Sequence, residues 1–186
     1  MNTLQEILLH NKSFVQNKEY EKYKTTKYPD KKMVILSCMD TRLTAMLPSA
    51  LNLKNGDAKI IKNAGAVIMH PFGSIMRSLL VAIYELKADE VFVIGHHGCG
   101  MSNINPDDMI NHFMQRGVTK DTISTIEYTG INLKKWLHGF DCVNDSVKES
   151  TCIIKNHPLI PKDILVHGLI IDPETGELEV VVDGYK

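Results

Sequence analysis

Three short apolar runs govern what this chain can fold into: "MVILSC" at 33–38, "AKIIKNA" at 58–64 and "EVFVIG" at 90–95. Each has strand length but lacks the strict alternation of a strand with one wet face, the pattern expected of parallel strands covered on both sides. Between the second and third lies "GSIMRSLLVAIYELKA" (73–88), whose length and helix-forming residues predict a crossover helix. Strand, helix, strand in that order is a βαβ unit and requires a parallel sheet. Further helices are expected at "PDDMINHFMQRG", with Pro106 in its first turn and Gly117 as its stop, at "DTISTIEYTGINLKKWLHGF", and near 144–156. The run "DILVHGLIIDPETGELEVVVDG" places two β-rich stretches around a Pro/Gly turn, a hairpin that should complete one edge of the sheet.

Residues 1–28 are polar with helically spaced apolar positions (Leu4, Ile7, Leu8, Phe14, Val15) and end at "YPDKK", which predicts an N-terminal helical arm. At 186 residues the chain fits one core. The expected architecture is therefore a single α/β domain over 1–186. Its central, mainly parallel β-sheet is flanked by helices, with the hairpin at one edge and the arm (1–28) in front.

Charge narrows the possible partners. Twenty-one basic and 22 acidic residues leave a net charge of −1, which argues against nucleic acid. The basic residues of "NKEYEKYKTTKYPDKK" alternate with acids and tyrosines, as on a solvated helix face. No apolar run approaches the roughly 18 residues of a membrane span, and the start lacks the pattern of a signal peptide, so a cytoplasmic protein without a membrane partner is expected. Four cysteines are too few for a disulfide scaffold in a chain this long.

Chemistry-bearing residues gather at strand ends. The first run closes on Cys38 and continues at once to Asp40 and Arg42; the third closes in "IGHHGCGM", which spaces His96 and Cys99 as H-x-x-C in a glycine-rich turn. In an open parallel sheet, functional groups collect beyond the carboxyl ends of the strands, so Cys38, His96 and Cys99 are expected to converge. Two thiolates and an imidazole suit zinc, and three protein ligands leave a fourth position for catalysis. Two thiolates neutralise the dication, so bound water is acidified less than by three histidines, and a helper is needed. Asp40, held by a bidentate pair with Arg42, can accept a hydrogen bond from a metal-bound hydroxide and aim its lone pair; alternatively it can swing onto the metal and close the site.

"CMDTR", "NAGA" (63–66) and "GHHGCGM" together resemble the β-class carbonic anhydrases, particularly their compact bacterial and archaeal branch. The resemblance implies one Zn²⁺ per subunit on Cys38, His96 and Cys99, with Asp40 and Arg42 as the catalytic dyad. It also implies reversible hydration of CO2 to bicarbonate and a proton by a zinc-bound hydroxide, in a homodimer or higher homo-oligomer. The same fold and metal site can support hydrolysis of carbonyl sulfide or carbon disulfide, and a non-catalytic zinc protein with Asp40 on the metal is a third reading. The chain departs from the family pattern at Lys62, where many members carry arginine, whose planar fork lysine cannot reproduce. His97 and His70 are read as surface or supporting residues, with proton relay open for both. Gly65 and Ala66 are read as a tight turn or as room for a small apolar substrate, and Cys142 and Cys152 as ordinary thiols.

Overall fold

A computed structural model describes all 186 residues. Five strands, β1 (Met33–Cys38), β2 (Ala58–Asn63), β3 (Glu90–His96), β4 (Leu165–Ile171) and β5 (Leu178–Val182), form one sheet in the order β2-β1-β3-β4-β5. The first four are mutually parallel and β5 returns antiparallel on β4. The reversal is made by Asp172, whose Oδ1 accepts the N–H groups of Glu174 and Thr175 at 2.7 and 2.9 Å. The expected class, parallel centre and edge hairpin are those observed.

The apolar runs behave as their positions in the sheet require. In β1, Val34, Ile35 and Leu36 are fully buried, each contributing roughly 1.5–3 kcal/mol of hydrophobic stabilisation. Val34 and Leu36 join the core beneath α3 (Ser74–Tyr84) and α7 (Val143–Lys155), while Ile35 joins Leu43, Leu47 and Ile94 on the other face. The run "AKIIKN" departs from expectation: β2 is an edge strand, with Ile60 exposed. Lysines at 59 and 62 mark that edge, a charge pattern that discourages further strand pairing.

The helices differ from expectation in extent. The sequence pattern predicts no element between β1 and β2, yet α2 (Leu43–Ala50) lies there, burying Leu43 and Leu47 although Pro48 stands inside it. Helix α3 stops at Tyr84 rather than Ala88, because Lys87 adopts a left-handed conformation (φ 61°) and the Leu86 and Ala88 amides turn back onto Val81 and Ala82. The stretch 121–140 is two helices, α5 (Lys120–Tyr128) and α6 (Leu133–Leu137), parted at Gly130 and preceded by α4 (Pro106–Gln115). The arm forms α1 (Thr3–Gln16), opened by a capping box between Asn2 and Gln5, and none of its residues is buried.

Candidate metal centre

Parallel register brings the carboxyl ends of β1, β2 and β3 level, with Cys38 opposite Asn63 and Ser37 opposite Ile94. Cys38 ends β1, His96 ends β3, and the turn after His96 carries Cys99 back beside Cys38. The donor atoms of Cys38, His96 and Cys99 all lie within 4.8 Å of one another, and all three residues are buried. The two sulfurs are 3.8 Å apart. That is far beyond the roughly 2.05 Å of a disulfide, and it is the spacing of about 3.8 Å that two sulfurs adopt when each stands about 2.3 Å from one tetrahedral zinc.

The imidazole is preset for a metal. Nδ1 of His96 is 2.9 Å from the carbonyl of His97, which can only accept, so the ring proton sits on Nδ1 and Nε2 presents a lone pair. This Nε2 is buried and has no hydrogen-bond partner. An orphaned buried acceptor facing two thiols is satisfied by a cation, and a soft one by preference. The residues present fit zinc.

Electrostatics point the same way. Cys99 beside it and the Gly65 N–H, which donates to Sγ at 3.3 Å, hold the Cys38 thiol well below the ordinary range. Cys99, keeping the shared proton next to that thiolate and buried, is pushed upward. The same thiolate raises His96. The amide of Gly65 is aimed by a strained turn: Gly65 has φ 79°, Ala66 has φ 58°, and the Asn63 side chain bridges both polar groups of Val67 at 2.7 and 3.2 Å. Thus 63–66 forms a tight turn whose backbone donates to Cys38. Lys62 donates to the Cys38 carbonyl at 3.2 Å.

Asp40 stands at the rim. Arg42 donates to both carboxylate oxygens, from Nε to Oδ1 at 3.0 Å and from Nη2 to Oδ2 at 2.8 Å, and its main-chain N–H adds a third bond to Oδ1 at 2.9 Å. These bonds hold the Asp40 carboxyl well below the usual carboxylate range. Oδ2 is 3.8 Å from His96 Nε2. Arg42 Nη2 also donates to the Gly98 carbonyl at 3.1 Å, tying the loop after β1 to the loop after β3.

The structure thus assembles Cys38, Asp40, Arg42, His96 and Cys99 in one place. His97 is exposed and supports the centre through its backbone, its N–H donating to the Ile171 carbonyl. His70 is an exposed turn residue whose Nδ1 accepts the Phe72 N–H. Cys142 and Cys152 are exposed free thiols. The sequence gives no sign of the wall behind the metal loop, where a cavity of about 410 Å³ joins His96 and Cys99 to Phe140, Cys142 and Glu179. Those residues come from the α6–α7 connection and from β5, and no spacing rule links them to the ligands.

A profile of the carbonic anhydrase family matches residues 33–178. The chain is 58% identical over 186 residues to "Putative carbonic anhydrase YtiB" of Bacillus subtilis (strain 168), covering 100% of both chains. It is 28% identical over 190 residues to a carbon disulfide hydrolase of Acidithiobacillus thiooxidans, covering 96% of this chain and 86% of that one. Among solved structures, the β-carbonic anhydrase isoform I of Trichomonas vaginalis superposes with a TM-score of 0.91 at 35% identity over 100% of both chains.

Proposed function

Since the chain belongs to the β-class carbonic anhydrase family, we propose that it catalyses the reversible hydration of CO2 to bicarbonate and a proton with a zinc ion held by Cys38, His96 and Cys99. The observation that carries this reading is the orphaned Nε2 of His96, facing two thiols 3.8 Å apart and a carboxylate 3.8 Å away. When bound there, zinc supplies Lewis acidity and an ionised water at neutral pH. Asp40 remains a carboxylate and therefore only accepts, so it takes a hydrogen bond from the attacking water oxygen and leaves a lone pair of that oxygen directed at carbon. Arg42 is a positioning residue: its fork fixes both oxygens of Asp40, and its bond to Gly98 keeps the histidine loop in register with the cysteine strand. Engaged by Arg42, Asp40 is held back from the metal that Cys38, His96 and Cys99 would bind. The Gly65 amide holds the Cys38 thiolate, supporting the ligand in its charged form.

Stopped-flow CO2 hydration with and without zinc tests the reading. A zinc-dependent rate that rises with pH is expected; a fully zinc-loaded protein inactive from pH 7 to 9 refutes it. The carbon disulfide hydrolase relative favours a second substrate class, carbon disulfide or carbonyl sulfide, and turnover of these beside CO2 decides between them. A zinc-loaded protein inert toward all three, with Asp40 on the metal, supports the non-catalytic reading.

Assembly follows from α1. Leu4, Ile7, Leu8, Leu9 and Val15 are each more than half exposed. A 14-residue helix is marginal without a packing partner. We infer that α1 packs on a second copy of the chain, in a homodimer or higher homo-oligomer. No helix is long and apolar enough to cross a membrane. Four free cysteines, two of them exposed, suit the reducing cytoplasm we infer for the protein.

A further inference from the structure

At the end of the sheet remote from the metal centre, the starts of β3 and β4 meet the segment that follows β5. His167 on β4 is 5% exposed. Its register partner Phe92 stacks on the ring (centroids 4.6 Å, planes 16° apart), and Tyr185 tilts against it at 4.8 Å. Nδ1 accepts the Gly184 N–H at 3.2 Å, so the ring proton is on Nε2, which lies 3.4 Å from Oε2 of Glu90. The other oxygen of Glu90 accepts the Tyr185 hydroxyl at 3.1 Å. Gly184 lies flat on β4: a Cβ there would stand 2.8 Å from the Val166 carbonyl oxygen and 2.9 Å from its nitrogen.

We propose that residues 183–186 form an acid-released strap, closed by neutral His167 and let go when that ring takes up a proton. The only site for a second proton is Nδ1. Once protonated, Nδ1 is a donor facing the Gly184 N–H donor, and the bond that seats the strap is replaced by repulsion. The charged and titratable groups facing the ring are Glu90 from β3, and Asp183 and Tyr185 from the strap, with Lys186 paired to Asp183 at 3.1 Å. Glu90, which stands on β3 at 3.4 Å from Nε2, keeps the ring in place while the strap, with Asp183, leaves. The closed form binds one proton fewer than the open form, so closure strengthens as pH rises and is lost as it falls. The strap secures the far end of β5, the strand whose Glu179 lines the cavity beside His96 and Cys99. Release therefore frees an edge strand of the sheet from the end away from the metal.

Backbone amide exchange measured by NMR on the full zinc-loaded chain, as protection factors between pH 5 and 8 where histidine titrates, tests this. Protection at Gly184 should fall about tenfold toward acid pH, the loss expected for one hydrogen bond, in step with the ring shifts of His167. His167→Asn places a non-titrating acceptor oxygen where Nδ1 stands and should make protection independent of pH. Glu90→Gln removes a carboxylate that holds the cation and should move the transition to lower pH in a protein that keeps His167. Gly184 protection that stays constant while His167 titrates overturns the proposal, as does an unchanged transition in Glu90→Gln.

Discussion

Replacing Asp40 by asparagine separates the charge of this side chain from its shape. Two donors of Arg42, the main-chain N–H at 2.9 Å and Nε at 3.0 Å, converge on Oδ1, while Nη2 reaches Oδ2 at 2.8 Å. An amide that keeps its oxygen at Oδ1 preserves two of the three bonds, so its NH2 group must occupy the Oδ2 position. There it opposes the Nη2 donor and turns a donor toward His96 Nε2, where the carboxylate now offers an acceptor at 3.8 Å. The variant thus keeps the fold and the proposed ligands Cys38, His96 and Cys99 but presents the wrong polarity to the attacking oxygen. A positioned proton acceptor contributes typically about 10²- to 10⁴-fold, and a loss of CO2 hydration rate in that range is expected. The shape of the pH profile should not change. Arg42 depresses the Asp40 carboxyl, so the stabilisation from its ionised form is complete above the unfolded value of about 3.9 and is lost only as pH falls through the still lower folded value. Between pH 6 and 9 the group does not titrate, and the substitution should lower the curve without moving its midpoint. The assay is stopped-flow hydration across that range with zinc content measured on the same samples. A fully loaded Asp40→Asn protein that keeps more than about a tenth of the parent rate refutes the assigned role.

Gly65→Ala should weaken the centre through the backbone. An alanine at φ 79° costs about 1–2 kcal/mol, and its Cβ would meet Met101 Cγ and Phe140 Cε1 at 3.0 Å. A midpoint lowered by about 2–8 °C and a zinc affinity reduced about 10- to 100-fold in chelator competition are expected, and unchanged values for both count against the Gly65 amide as a support of Cys38. Stripping zinc should lower the melting midpoint, since a ligand at a thousand times its Kd contributes about 4 kcal/mol; identical melts with and without metal would show that the triad holds none. Leu8→Glu changes a side chain already 58% exposed in the single chain, so the fold should persist while light scattering reports a smaller assembly. A mass equal to that of the parent oligomer removes α1 from the interface.

Legibility in the sequence followed the range of the interaction. β1 and β3 were readable because central strands are apolar on both faces, a pattern written in their own residues. β2 read the same way but lies at the edge, a property of sheet order that six residues do not encode; only its lysines hinted at it. Helix α2 escaped because Pro48 argues against a helix locally, while full burial of Leu43 and Leu47 under the sheet outweighs that penalty. The C-x-D-x-R and H-x-x-C spacings were legible as chemistry, and parallel topology sufficed to predict that they meet. The Gly65 amide, the Gly98 carbonyl and the Phe140–Glu179 wall were not, since each contributes through its place in space rather than through an unusual residue type.

The bond from Arg42 to Gly98 explains why an arginine suits this position better than any charge of equal sign. Cys38 and Asp40 belong to the β1 end, His96 and Cys99 to the β3 end, and the proposed metal site, assembled from both, depends on their mutual register. Parallel pairing fixes that register only as far as Ser37 and Ile94. Beyond it the two loops are free of strand pairing with each other, and Arg42 Nη2 bridges them at 2.8 Å to Asp40 and 3.1 Å to Gly98. A lysine could neutralise Asp40, but its single ammonium cannot grip both carboxylate oxygens and the carbonyl in one plane. On this geometry the same side chain sets the direction of the carboxylate and the position of the histidine loop, so disturbing it should alter orientation at Asp40 and metal retention together rather than either alone.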